Sequence, residues 1–453
     1  MANPIYVRLV PTYHQVMCSA KTSNQISTTF EQRRSLENMA PDELADYQLA
    51  RLNQLLETIL PENRFYQGQL KDLKLPIPSL DDLSKLPFTF KDQLVDENHP
   101  GNYATNQTFG LEAYTRFHRT SGTRGKPLVI LDTAEDWQWW IDTWQFVLDA
   151  AGIKPTDKAL MAFSFGPFIG FWSAFDAAVA RGTLCVPSGG LSTLSRLELI
   201  QSTEANVVFC TPSYALHMAE VASENQINVA NLPVETIVVA GEPGGSIPEI
   251  RDRIESLWSA KVFDHSGATE VGPWGYPDPQ CNGLYVNESE FIPEFLSIET
   301  GEPAGEGELS ELVLTCLGRF GSPIIRYRTG DLVRPSWNDD QDCNFVLLQG
   351  GVLGRTDDMM IIRGVNIFPS SIERILRGFP EIIEYRLVAF KNAQMDELKI
   401  EVEDRLEQPE RITKELQVRL GLRVETVCVP IGSLPRFDLK GQRFVDQRSS
   451  TPD

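Results

Sequence analysis

Residues 120–127 read TSGTRGKP and pack hydroxyls, glycines and two cations into one short stretch. Gly122 and Gly125 let the backbone approach a ligand closely and adopt dihedrals that side chains resist. Thr120, Ser121, Thr123 and the neighbouring N–H groups can donate to phosphate oxygens, and Lys126 adds a positive charge. The same residues also fit a decorated hairpin turn. They do not fit the common strand-loop-helix nucleotide motif, because Thr120 stands where its first glycine belongs and Pro127 follows the lysine.

Three further groups have chemistry of the same kind: Gly241-Glu242-Pro243, then DHSGATE at 264–270 with His265, Ser266 and Thr269, then RYRTGDL at 326–332. Each follows a run that reads as a strand, and α/β proteins collect ligands at strand ends. Glu270 is the candidate Mg²⁺ ligand there, and Asp331 the candidate acceptor for two ribose hydroxyls. Taken singly, Glu270 reads as a helix-end carboxylate and Asp331 as a turn residue. Lys440, in LPRFDLKGQR, lies in a glycine-containing loop and taken alone is a solvated surface lysine.

The elements that must position these groups follow from periodicity. Residues 30–60 and 78–96 carry acidic, helix-favouring patterns, with Pro41, Asp42 and Glu43 marking a helix start. From Tyr114 onward short β-rich runs at 128–131, 158–162, 183–186, 207–210, 236–240 and 261–263 alternate with helical stretches, which predicts layered α/β structure. After Glu290 strands separated by GEPAGEGE and by a polar loop at 337–344 predict a sheet-rich subdomain. Residues 353–373, LGRTDDMMIIRGVNIFPSSIE, pair a charged turn with an apolar run and a glycine passage opening onto a helix, and read as a hinge. Beyond it, helices at 370–378 and 409–420 and strands at 385–390, 398–402 and 424–430 make an α+β unit of about a hundred residues. The expected organisation is a large multi-layer α/β domain with a β-rich subdomain over 1–353, a small mobile α+β domain over 354–445, and a disordered tail over 446–453.

Composition narrows the partners. The 453 residues carry 41 Lys and Arg against 62 Asp and Glu, a net charge of −21. Such a chain repels polyanions, so neither nucleic acid nor a membrane is an expected partner, and a phosphate-bearing ligand must be held by local donors. The seven cysteines are scattered and form no CxxC, as expected for reduced thiols in a cytoplasmic protein. The longest uncharged segment, 159–175, contains Ser164, Gly166, Pro167 and Gly170 and falls short of a membrane span.

In their order along the chain, the TSGTRGKP loop, the DHSGATE segment, RYRTGDL, the 353–373 block and the terminal PRFDLK resemble the adenylate-forming acyl-CoA synthetases, most closely the phenylacetate-CoA ligase branch. The resemblance runs from about residue 50 to 445, and the long block is its most specific part. It implies ATP-dependent activation of a carboxylic acid to acyl-AMP, then displacement of AMP by the thiol of CoA. It implies that Lys440 bridges the carboxylate and the α-phosphate, that Mg²⁺ sits at Glu270, and that Asp331 holds the ribose. Arg355 would reach the nucleotide from the hinge, Asp357 would be the pivot, and Arg363 and Gly364 would line the CoA tunnel after rotation. Phe163, Phe165, Phe168 and Trp172 correspond to the family's acyl wall and point to an aromatic or other apolar acid; an ordinary aromatic core accounts for them equally. Ser266 stands where the family usually has an adenine-stacking tyrosine, and Leu439 where it has a glycine. A carrier-protein or amine acceptor stays open beside CoA, as does a catalytically degenerate nucleotide-binding protein, and so does a homodimer.

Overall fold

The computed structural model describes residues 26–96, 101, 103–120, 127–337, 343–358, 360–362, 365–392, 395–420, 422–435 and 443–448. The chain opens with helices α1 (Phe30–Glu37), α2 (Pro41–Ile59) and α3 (Arg64–Gln69). Proline at the first position of α2 and Asp42 and Glu43 in its first turn suit a helix start, where a donor is missing anyway and negative charge meets the dipole. Its buried face, Leu44, Leu52, Leu55, Leu56 and Ile59, follows the helical period. The acidic pattern of 78–96 forms no such helix. It closes into two short 3-10 turns, Leu80–Lys85 and Lys91–Leu94, because Pro78 opens it and Pro87 interrupts it.

A hairpin of β1 (Tyr114–Arg119) and β2 (Val129–Thr133) carries the 120–127 loop at its tip and feeds α4 (Ala134–Ala150). Thr133 caps α4 through a reciprocal box with Asp136, at 3.1 and 3.0 Å. The layers then build in turn: β3 (Lys158–Met161), α5 (Ile169–Arg181), β4 (Leu184–Pro187), α6 (Thr193–Thr203), β5 (Val207–Cys210), α7 (Pro212–Glu224), β6 (Thr236–Ala240), α8 (Pro248–Trp258) and β7 (Lys261–Ala268). Strands β4-β3-β5-β6-β7 lie parallel in that order. The sheet continues antiparallel through β8 (Gly272–Pro277) and β9 (Gly283–Val286). The order reverses beside β3, so the crevice at the carboxyl ends of β3 and β5 is a topological switch point. Residues 163–172 leave the sheet there.

The sheet-rich part expected after Glu290 is a four-stranded antiparallel sheet of β10 (Phe291–Ser297), β11 (Ser310–Cys316), β12 (Tyr327–Val333) and a two-residue strand, Gly354–Arg355. Two more strands, Pro335–Ser336 and Leu347–Gln349, extend the nine-stranded sheet beyond β9. Past the 3-10 turn Thr356–Asp358, the hairpin of Met360–Ile362 with Val365–Ile367 leads into helix Pro369–Arg377. A second four-stranded sheet has Ile382–Asn392 and Met395–Asp404 paired antiparallel at its centre, with Glu425–Cys428 and Phe444–Asp446 added in parallel at its edges. Its core, including Ile372, Leu376, Tyr385, Leu387, Ile400, Ile412 and Leu416, is a cluster of its own. Order continues past the expected start of the tail: Asp446 closes the last strand, Gln447 N donates to Ala389 O at 2.8 Å, and Arg448 pairs with Asp396 at 3.2 Å. That parallel pairing joins distant segments, so local composition gives no sign of it.

Candidate functional site

Asp331 and Arg355 face each other in register across β12 and the Gly354–Arg355 strand, and the guanidinium Nη1 donates to Asp331 Oδ1 at 2.8 Å. Its Nη2 donates to Thr329 O at 3.0 Å and lies 3.5 Å from Asp357 Oδ2. The hinge block is thereby tied to the RYRTGDL strand through its first charged residue. Gly330 makes this possible: its φ is +76°, and a Cβ there would come 2.8 Å from Arg355 Nη2. Tyr327, at the start of β12, is buried, and its hydroxyl is pushed well above the ordinary phenol value by that burial and next by Glu270. Arg355, Asp331 and Asp357 also act on it electrostatically, and the hydroxyl stays neutral.

Glu270 occupies the turn between β7 and β8. Its side chain is 7% exposed, and Lys91 Nζ sits 2.7 Å from Oε1. Lys91 comes from one of the 3-10 turns and carries no sequence motif of its own. Arg319 is fully buried and donates to the carbonyls of Thr269 and Glu270. Lys91 and Arg319 belong to no motif because their partners are distant in sequence, and Tyr327, although inside RYRTGDL, is not singled out by the motif.

Thr120 closes the neck of the 120–127 loop: its N–H donates to Leu128 O at 2.9 Å, and its hydroxyl oxygen accepts from Leu128 N at 3.0 Å. Gly241, at φ +92°, starts the turn after β6, and Glu242 Oε1 accepts from Ser213 N at 2.7 Å at the start of α7, beside Pro243. Ser266 is half-buried opposite Gly275. His265 is buried rather than a surface imidazole: its ring centroid is 4.1 Å from that of Trp144, and Nδ1 is 2.7 Å from Gly275 O. Burial lowers its pKa to about 4, so at neutral pH it is an uncharged packing group. Trp144 Nε1 in turn donates to Ser173 on α5 at 2.9 Å, which links the DHSGATE segment to the acyl-wall helix.

The aromatic side chains of 163–172 form one cluster. Phe163 stacks on Phe171 at 4.4 Å, Phe165 meets Trp172 and Phe175 edge-on at 5.0 and 5.4 Å, and Phe168 approaches Phe171 at 6.1 Å. Trp172 Nε1 donates to Gly166 O at 2.9 Å, and Arg119 N donates to Pro167 O at 2.7 Å, which joins this wall to the hairpin bearing the loop. Phe165, Phe168 and Trp172 are only half-buried while Phe163 is buried, so the wall has an inner and an accessible side. Ser121, Gly122, Thr123, Gly125, Lys126, Arg363, Gly364 and Lys440 lie outside the described residues.

Residues 364–448 match the AMP-binding enzyme C-terminal domain family. Over 447 residues, the phenylacetate-coenzyme A ligase of Thermus thermophilus is 30% identical, with 91% of this chain and 98% of that protein covered. The chain belongs to the phenylacetate-CoA ligase branch of the adenylate-forming enzymes. Its Aromatoleum evansii relative in this branch, also a phenylacetate-coenzyme A ligase, is 32% identical over 440 residues, covering 91% of this chain and 96% of that protein. Among solved structures, 2-hydroxyisobutyryl-CoA ligase in its postadenylation state superposes with a TM-score of 0.87 at 25% identity, covering 94% of this chain and 95% of that one. The same relative in its thioesterification state gives 0.70 at 26% identity, with 95% of each chain covered. Identity and coverage barely change between the two, so the drop reflects how that relative's parts are arranged. Among the described residues, no helix of this branch member is long and apolar enough to cross a membrane.

Proposed function

We propose that this chain is an AMP-forming acid-thiol ligase that activates an aromatic or other hydrophobic carboxylic acid with ATP and passes the acyl group to CoA. The carrying observation is the joined set of Asp331, Arg355 and Asp357, together with the buried Glu270 carboxylate paired with Lys91. In the first step a carboxylate oxygen attacks the α-phosphorus, an acyl-phosphate bond forms, and pyrophosphate leaves. In the second the thiol attacks the acyl carbonyl, the thioester forms, and AMP leaves. Asp331 accepts the ribose hydroxyls, while Arg355 holds its carboxylate in place and supplies positive charge toward the nucleotide. Lys91 stands ready for phosphate oxygens, because it pairs with the Glu270 carboxylate and its side chain is 44% exposed.

Mg²⁺ fits the donor set: it is commonly held by one or two carboxylates together with substrate phosphates, and Glu270 provides one buried carboxylate facing a cation. When bound there it would neutralise charge building on the phosphate oxygens. The half-buried Phe165, Phe168 and Trp172 contribute the apolar wall and exclude water from the acyl end. The free thiols of Cys185, Cys210, Cys281, Cys316, Cys343 and Cys428 suit a reducing cytoplasm.

Carboxylate-dependent exchange of pyrophosphate into ATP across a panel of acids tests this reading. Aryl and apolar acids should support exchange, and adding CoA should yield the thioester. Exchange with no acid at all in the panel would refute the function, whereas exchange without thioester would redirect it to a carrier-protein or amine acceptor. Phe165→Ala should raise the KM for the best aryl acid roughly 10-fold or more while leaving the KM for ATP unchanged. A variant that shifts the ATP value instead would remove Phe165 from the acyl wall.

Gly330→Ala is expected to cost about 1–2 kcal/mol of stability, because a Cβ resists left-handed dihedrals. The methyl also displaces the Arg355 fork, so the KM for ATP should rise several-fold; an unchanged value in exchange assays would show that Arg355 does not serve the nucleotide.

A further inference from the structure

Arg319 takes no part in the scheme above, yet its side chain is completely buried. Nε and Nη2 lie 2.7 and 2.6 Å from the same oxygen of Asp132, which is itself fully buried on β2. Nη1 reaches the other way and donates to Thr269 O at 2.8 Å and Glu270 O at 3.0 Å. The guanidinium rests over the Trp140 ring at 5.5 Å, and His118 Nδ1 stands 3.4 Å from the second oxygen of Asp132.

The backbone that bears Arg319 is fixed on the hairpin side. A Cβ at Gly318 would come 2.2 Å from the Trp139 indole, so only glycine lets this segment lie so close. Phe320 N and Gly321 N donate to Asp136 Oδ1 at 2.8 and 3.1 Å, and Ser322 Oγ donates to Leu131 O at 2.6 Å. The Tyr114 hydroxyl donates to Gly321 O at 2.6 Å. With its base clamped to β1, β2 and α4, the side chain is an arm that spans from the hairpin to the turn bearing Glu270.

Burying an ion pair is weak evidence for stability, since desolvation offsets most of the attraction. Fixing two successive carbonyls is different work: it sets the direction in which the Glu270 side chain leaves the turn. Only a planar fork can hold a carboxylate on one side and two carbonyls on the other. We infer that Arg319 is a positioning residue that locks the Thr269–Glu270 peptide units to the β1–β2 hairpin, so that the Glu270 carboxylate keeps one fixed direction during adenylation. This inference rests on the ligase reading above.

The test is Arg319→Lys in the full chain, which retains the charge opposite Asp132 but loses the fork. Pyrophosphate exchange should fall about 10- to 100-fold in kcat, with a raised Mg²⁺ requirement, while thioester formation from supplied acyl-adenylate stays within about 3-fold of the parent. Arg319→Ala assayed with and without methylguanidinium is the second variant, and added methylguanidinium should restore part of the exchange. Exchange at the parental rate in Arg319→Lys, or equal loss of both half-reactions without rescue of Arg319→Ala, would overturn the positioning role alone. Absence of exchange in the parent protein would overturn the ligase reading and this inference with it.

Discussion

Glu270→Gln should lower carboxylate-dependent pyrophosphate exchange by about 10²–10³-fold, the size of effect seen when one preorganised electrostatic group is removed from a transition state. Glutamine keeps the shape of the side chain, so the turn between β7 and β8, held through its carbonyls by Arg319, should not move. What is lost is one negative charge in a place that is 7% exposed. Without that charge a divalent ion loses its carboxylate ligand at this position, and the part-exposed Lys91 can turn to water or to phosphate. The Mg²⁺ concentration giving half-maximal exchange should therefore rise. Transfer from supplied acyl-adenylate involves neither pyrophosphate nor the charge that accompanies its departure, and should stay within a few-fold of the parent. Equal losses in the two half-reactions would show that Glu270 supports the fold or the adenylate itself, not the departing phosphates.

How much of this could be read from residues alone depended on distance along the chain. The parallel strands Val207–Cys210 and Thr236–Ala240 and the helix Pro409–Leu420 stand within the limits that periodicity and punctuation predict. Buried parallel strands are continuous apolar runs, and a proline with an acidic neighbour marks a helix start, so both signals are local. The acidic stretch 78–96 misled for a local reason too, since composition favoured a helix that its prolines interrupt. The last strand, Phe444–Asp446, was invisible because its partner is Ile382–Asn392, and no short-range pattern records a parallel edge pairing.

The site divides in the same way. Asp331, Arg355 and Glu270 stand in recognisable blocks, and Asp331 and Arg355 are in contact with each other. Arg319 and Asp132 are 187 positions apart, and neither belongs to a motif. Lys91 resembles any surface lysine until the Glu270 carboxylate is placed beside it. His265 went the other way: a polar residue within a ligand-like segment is a buried ring against Trp144, because Gly275 O satisfies Nδ1 and the indole covers the rest.

Lys440→Ala and Gly364→Leu should fail in opposite half-reactions. The small lobe meets α8 through polar contacts that are long or exposed: Arg253 Nη2 to Pro380 O and Ile382 O at 3.4 Å each, and Arg419 to Glu249 at 3.8 Å. An exposed pair such as Arg419–Glu249 contributes only about 0–1 kcal/mol, and the two Arg253 contacts are long. The chain superposes better on a relative's postadenylation state, at a TM-score of 0.87, than on its thioesterification state, at 0.70. A lysine serving adenylation neutralises charge between carboxylate and α-phosphate, and its loss should reduce exchange by roughly 10³-fold or more while supplied acyl-adenylate is still converted. If Gly364 lines the path of the thiol, as the family resemblance implies, a leucine there should leave exchange intact and stop thioester formation. The two variants together separate a rotating lobe from a fixed one. If one lobe orientation served both steps, each substitution would depress exchange and transfer in the same proportion, and the assigned pivot at Asp357 would have no work to do.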